Sequence, residues 1–216
     1  MDIRYIVSLI PILSKGAVVT IELTVISVVF GTIFGLFLSL MKISNSSVLK
    51  KFSSFYIYVI RGTPLLLQLF AIYYGLPFFG INLSPFLSAV SGMSLNSAAY
   101  IAEIIRAGIE SIDKGQMEAA KALGMSYYQA MRRIILPQAF KRIIPPMGNE
   151  FIALLKDSSL VSSIAMTDLM RAALQMYSNS FRPVEVFLTA GILYLVLTTV
   201  FTMLFGRVER RMSIYE

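Results

Sequence analysis

Gly16–Met41, Phe52–Phe79 and Val184–Gly206 each supply the roughly 20 mainly apolar residues that a helix needs to cross a bilayer. They are interrupted only by Glu22, Arg61 and Glu185. In hydrocarbon every backbone N–H and C=O has to be satisfied within the chain, so such stretches fold as helices and the predicted class is all-α integral membrane. Composition agrees: of 216 residues, 56% are hydrophobic and 14% charged, a balance that points to lipid. Two further segments are apolar but marked by polar groups. Pro85–Gly108 is rich in serine and carries Asn96, Glu103 and Arg106, while Phe140–Asp157 is short and carries Glu150. Counting both gives five spans, two of them too polar to face lipid all round.

Several functions are excluded at once. The chain has no cysteine and no histidine, which removes disulfides, thiolate zinc sites and Cys–His or Ser–His–Asp nucleophiles. No nucleophile with a base is visible, so neither a catalytic residue nor a metal site is expected. No GxxxxGK[ST] run is present, so any ATP has to be hydrolysed by another chain. The net charge of +7 has no polar, aromatic-laced domain to sit on, and nucleic acid is not an expected partner.

The charge instead sets orientation. With the C-terminus in the cytoplasm, Lys42, Lys50, Lys51, Arg106, Lys114, Lys121, Arg132, Arg133, Lys141, Arg142, Arg207, Arg210 and Arg211 gather inside, against Arg4, Lys15, Lys156, Arg171 and Arg182 outside. The positive-inside rule then places the N-terminus outside. The first 15 residues hold Asp2, Pro11 and no small-residue cleavage site before Gly16. They predict a short helix on the outer surface rather than a removable signal. Gly31 and Gly35 form a GxxxG, a device for close helix packing.

The stretch 112–137 is too charged to cross a membrane. Asp113 opens a D-x-x-Q pattern ahead of strong helix formers, Gly124 supplies a left-handed stop, and Ser126 with Gln129 is a capping box for a second helix ending at Pro137. On that helix Tyr127, Tyr128, Met131, Ile134 and Ile135 make an apolar stripe opposite Gln129, Arg132 and Arg133. Such an elbow either enters a partner's groove or rests on lipid headgroups.

The run Glu118-Ala119-Ala120, then Gly124, then Ile134 and Leu136-Pro137 resembles the full EAA loop of the permease subunits of ABC importers. Arg61-Gly62-Thr63-Pro64-Leu65-Leu66-Leu67-Gln68 and Ala99-Tyr100-Ile101-Ala102-Glu103-Ile104-Ile105-Arg106 are similar to the polar amino acid branch of that family, and the likeness runs over nearly the whole chain. It implies a type I importer permease fold in a prokaryotic inner membrane, with five spans per subunit. It also implies a cytoplasmic ATPase dimer carrying ATP and Mg²⁺, an external amino acid binding protein, and a second permease copy. In that family the elbow is the coupling helix docked on the ATPase. Glu118, Ala119, Ala120, Gly124, Tyr128, Met131, Ile134 and Pro137 are then coupling residues.

Ionisable groups at membrane depth are functional hypotheses by default. Glu150 lies about 13 Å in from Lys141 and Asn96 about 18 Å in from Gly108, both near the midplane. With no evident cationic neighbour, Glu150 reads as the counter-charge for a basic amino acid, with Asn96, Asn149, Gln68 and Tyr100 as polar neighbours, or else as a carboxylate that only stiffens its helix. Arg61 and Glu103 read as a structural ion pair or gate lock, and Lys156 with Asp157 as an outer gate or local pair. The expected function is ATP-driven uptake of an arginine-, lysine- or histidine-type amino acid by alternating access. A glutamine permease is the alternative within the family, and an ion-coupled carrier or channel without an ATPase is the alternative outside it.

Overall fold

The computed structural model describes residues 2–213, and every regular element among them is helical. Helix α1, Ile3–Ile43, is capped by Asp2, whose side chain accepts from the N–H groups of Arg4 and Tyr5. At about 1.5 Å per residue it is about 60 Å long, twice the hydrocarbon core. The surface helix expected over the first 15 residues is therefore not a separate element but the start of α1. Leu9 and Leu13 pack with Ala17 on Leu169, Ala172, Val186 and Ala190, so the helix has an apolar partner from its first turns. Pro11 removes one ladder bond without ending it.

The apolar run Phe52–Phe79 is not one straight helix. Helix α2, Ser47–Arg61, and helix α3, Leu65–Phe70, with its continuation to Phe79 through a π turn and a 3₁₀ turn, meet at 103°. The break is written as Gly62-Thr63-Pro64: glycine weakens the helix, and the residue before proline is pushed out of helical geometry.

Helix α4, Pro85–Glu110, is the central element. Ser84 caps it, and its sides are lined by small buried residues such as Ala89, Gly92, Ser94, Ser97, Ala98 and Ala102. Small residues let α1 approach closely: a Cβ added at Gly31 would stand 3.0 Å from Ser97 Cβ, and one at Gly35 would stand 2.9 Å from both Ala98 O and Ile101 Cγ2. The GxxxG of the sequence is this contact. Leu23, Leu65, Leu69, Met93, Leu154 and Ile164 form the main apolar cluster where α1, α3 and α4 meet the later helices.

Helix α5, Lys114–Ala122, ends at Gly124, which has φ +79°, and helix α6, Tyr127–Ala130, opens on the Ser126–Gln129 capping box, both as the sequence predicts. Pro137, however, does not stop this second helix. The chain passes through a π turn, Met131–Ile135, straight into helix α7, Leu136–Asp157. The wider turn accommodates a residue that has no N–H and whose ring would otherwise strike the carbonyl four residues back. Pro145 and Pro146 likewise lie inside α7 rather than ahead of it. A 3₁₀ segment, Ser158–Ile164, leads to helix α8, Leu169–Ser180, and helix α9, Pro183–Ser213.

Asp168 caps α8 by accepting from Met170 and Arg171 N–H, and it also accepts from the Tyr194 hydroxyl at 3.3 Å. The Thr20 hydroxyl accepts from Leu169 N–H at 3.2 Å. These bonds fasten α8 to both α1 and α9. Helices α1 and α9 are long and apolar enough to cross a membrane unaided, and the bent α2–α3 pair qualifies when taken together. Helix α4 buries Ser88, Ser94, Asn96 and Ser97 inside the bundle.

The α1–α4 contact yields a paired prediction. Gly35→Val places a side chain against a backbone carbonyl and is expected to destabilise by about 1–3 kcal/mol. Gly191→Val meets nothing within 4 Å and is expected to stay within about 0.5 kcal/mol of wild type. Thermal unfolding of both variants in detergent checks the contrast, and equal midpoints would refute the close packing.

Candidate functional site

The break between α2 and α3 leaves backbone groups without helical partners, and one side chain collects them. Gln68 Nε2 donates to Ile60 O at 2.8 Å, to Thr63 O at 3.1 Å and to Thr63 Oγ1 at 2.9 Å. Its own Oε1 accepts from Asn96 Nδ2 at 3.0 Å. Gln68 is thus the brace of the corner, and Asn96, 6% exposed, ties that corner to the middle of α4.

The corner walls a cavity of about 480 Å³ shared by Arg61, Gly62, Thr63, Pro64, Asn96, Tyr100, Glu150, Leu154 and Asp157, among others. Helices α4 and α7 bring Asn96, Tyr100 and Glu150 together on this cavity, as the sequence predicts. Two expectations change. Asn149 is exposed and does not line the cavity, because consecutive residues of a helix point about 100° apart. Glu150 is not isolated: Arg61 and Asp157 line the same space, and Ser97 Oγ donates to Glu150 Oε1 at 3.0 Å. Ser97, one residue past Asn96, carried no signal in the sequence beyond its place in a serine-rich span. The Gly-Thr-Pro breaker did carry a signal, since a broken helix at membrane depth is tolerated where it lines a cavity.

The pairing of Arg61 with Glu103 does not form. Glu103 is held by Lys42 of α1 and by Arg106 one turn along α4, whose Nη2 lies 2.8 Å away, and Arg106 also reaches Glu110. These cations are closer along the helices, and Arg61 is drawn instead over the ring of Tyr100, its Cζ 5.1 Å from the centroid. Arg61 and Tyr100 also line a second cavity with Glu103, Gly108, Ser111 and Arg142, so their stack stands between two spaces. Lys156 and Asp157 form no salt bridge among the described residues, and Asp157 lines the cavity while Lys156 is exposed.

The elbow divides its residues differently from the sequence stripe. Ile135 is buried with Ile112 and Ala139, and Met131, Ile134, Ile109 and Met117 pack on them. Met131 and Ile134 therefore hold the elbow against the end of α4 rather than face outward. The π turn rotates this stretch relative to an ideal helix, which moves them inward. Ala120 is also inside, at 1% exposure, while Glu118, Ala119 and Pro137 are exposed. The outward apolar surface is Leu123, Tyr127 and Tyr128, at 79%, 64% and 70% exposure. Arg142 donates to Ser111 O at 2.6 Å and joins α7 to the junction of α4 and the elbow.

This architecture has known counterparts. The family described as binding-protein-dependent transport system inner membrane component matches residues 9–214. The arginine transport system permease protein ArtQ of Bacillus subtilis (strain 168) is 44% identical over 214 residues, covering 99% of this chain and 98% of that protein. The L-cystine transport system permease protein TcyB of the same organism is 43% identical over 206 residues, covering 95% of this chain and 88% of that one. A structure described as the crystal structure of an amino acid ABC transporter with histidines superposes with a TM-score of 0.93 at 46% identity, covering 98% of this chain and 99% of that chain. The chain belongs to this family of inner membrane components: it is a permease subunit of an amino acid ABC transporter, and ATP hydrolysis is carried out by a separate ATPase chain.

Proposed function

We propose that this permease carries a basic L-amino acid of the arginine, lysine or histidine type through the cavity at the α2–α3 corner. The observation that carries this reading is the charge of its lining: two carboxylates, Glu150 and Asp157, against one guanidinium, Arg61, a formal excess of one negative charge. A zwitterionic ligand with a cationic side chain complements that set. Its α-carboxylate suits the planar fork of Arg61, and its cations suit Glu150 and Asp157, with Asn96 and Tyr100 as neutral neighbours. The likeness to an arginine permease supports the same class, while the likeness to a cystine permease makes a neutral substrate such as glutamine the outcome to test against.

In this reading the chain forms five spans with its N-terminus outside and pairs with a second copy. An external binding protein delivers the amino acid, and a cytoplasmic ATPase dimer holding ATP and Mg²⁺ sits on the elbow. Leu123, Tyr127 and Tyr128 offer the apolar docking face, and Glu118 the charge beside it. Gly124 fixes the corner in a conformation that side chains strain. Movement of the elbow reaches the cavity along the continuous helix from Tyr127 to Asp157, and the Arg61–Tyr100 stack between the two cavities acts as the gate. Nucleotide state supplies the differential affinity that any shift between outward and inward forms requires.

Two experiments test this. In proteoliposomes holding the complete importer, arginine uptake is expected to exceed glutamine uptake. Glu150→Gln is expected to lower apparent arginine affinity by about 10- to 100-fold, the loss of one contact to a charged group. Equal losses for both substrates, or glutamine carried as well as arginine, would overturn the basic reading. Glu118→Lys is expected to leave the permease inserted while abolishing co-purification of the ATPase, and normal co-purification would refute docking at this face.

A further inference from the structure

Where α9 ends, its surface changes character over one turn. The helix qualifies as a membrane-crossing segment up to Met212 and carries Arg210 and Arg211 in its last turn. The apolar run of the sequence closes at Gly206, and Arg207, Arg210 and Arg211 follow it, which by length and composition puts this turn at the edge of the span. Beside it is a cavity of about 560 Å³ formed with the start of α7. Its floor is apolar, made by Leu136, Pro137, Phe140 and Met212, and its rim carries Arg132, Lys141 and Arg211. None of the described residues lining it is acidic. Glu209 lines the adjoining cavity that shares Lys141 and Met212. Among the described residues neither Arg132 nor Arg211 is in an ion pair.

Exposed apolar side chains continue along α9 toward its middle. Val208, Leu204 and Val200 stand three, seven and eleven residues before Arg211, a spacing that keeps them near one face of the helix. They are 45%, 45% and 42% exposed. Phe140, 55% exposed, stands on the facing helix. Cations at one end, with Arg207 four residues before Arg211 adding a further one, and the apolar side chains of Leu204 and Val200 beyond them define a ligand with an anionic head and a hydrocarbon chain. A soluble anion would leave the apolar side chains unused, and a neutral lipid would leave the guanidinium groups unanswered.

We propose that this groove is a binding site for an anionic glycerophospholipid of the leaflet on the side of the elbow. Arg132 and Arg211 hold the phosphate, and an acyl chain lies over Phe140, Leu204 and Val200. Basic pockets between helices at the membrane surface recognise lipid headgroups in this way. The site bears on coupling. Arg132 belongs to the π turn Met131–Ile135, which joins the elbow to α7, so a bound lipid ties that turn to the end of α9. The inference stands on the boundary position of α9 and is independent of which amino acid is carried.

The test uses the complete importer purified in detergent, with phosphatidylglycerol and phosphatidylcholine of identical acyl chains added in equal amounts. Retained lipid is counted by native mass spectrometry. Phosphatidylglycerol is expected to be retained in preference to phosphatidylcholine. In the double variant Arg132→Gln, Arg211→Gln its affinity is expected to fall about 25-fold, as two successive steps of about five-fold per removed charge. Both side chains are exposed, so assembly and thermal midpoint are expected to stay as in wild type. Equal retention of the two lipids by the wild-type importer would overturn the proposal without recourse to any variant. Displacement of phosphatidylglycerol by inorganic phosphate at millimolar concentration would overturn it in favour of a free-anion site. A double variant that keeps its lipid but loses the ATPase would overturn it in favour of a protein contact.

Discussion

A helix in lipid has to satisfy its own backbone, and nearly every departure from regularity in this chain is governed by that constraint. Pro11, Pro137, Pro145 and Pro146 all sit within continuous helix, and the chain absorbs Pro137 by widening the preceding turn into a π turn rather than by breaking. At Gly62-Thr63-Pro64 it does break, and there a single amide, Gln68, takes up the stranded carbonyls. The polar cavity exists because the break exists. Remove the corner and Arg61 is carried away from Glu150 and Asp157 along a straight helix.

The same constraint explains the middle of the bundle. Asn96, Ser97 and Glu150 are tolerated because each answers another polar group: Asn96 the brace of the corner, and Ser97 the carboxylate. Close packing of α4 on α1 through Gly31 and Gly35 keeps hydrocarbon away from this line of polar atoms. A network of Lys42, Glu103, Arg106 and Glu110 then closes the elbow end of the same two helices. Close packing and ion pairs therefore join α1 to α4, while the continuous helix between the elbow and the cavity is α7.

Much of the site was legible in sequence, but unevenly. Asn96 and Glu150 were placed by counting helical rise from charged edges, a measure that survives because α4 and α7 are regular where it was applied, while Tyr100 was marked by the resemblance of its stretch. Asn149 failed because depth says nothing about azimuth, and its neighbour Glu150 took the inward direction. Arg61 and Glu103 were matched by proximity in depth, yet the contact was decided by Lys42 and Arg106, whose approach depends on where α1 ends. In the elbow, the capping box and the left-handed glycine were read correctly since both are local. The stripe Tyr127, Tyr128, Met131, Ile134 and Ile135 was split because a π turn changes the period on which the stripe was drawn.

The sequence by itself determined the class of the protein. Long apolar runs admit only helices in a bilayer, the caps and glycine between Asp113 and Pro137 write the elbow, and the likeness of Glu118 to Pro137 to the EAA loop points to the family. Each of these rests on composition or on residues close together along the chain. Tertiary structure decided which polar groups meet. The 103° bend brought Arg61 round to Tyr100 and to the carboxylates of α7. The packing of the elbow on α4 chose Leu123, Tyr127 and Tyr128 as its outward face. Such contacts join residues tens of positions apart, and their geometry is set by bends and helix rotations that no local pattern encodes.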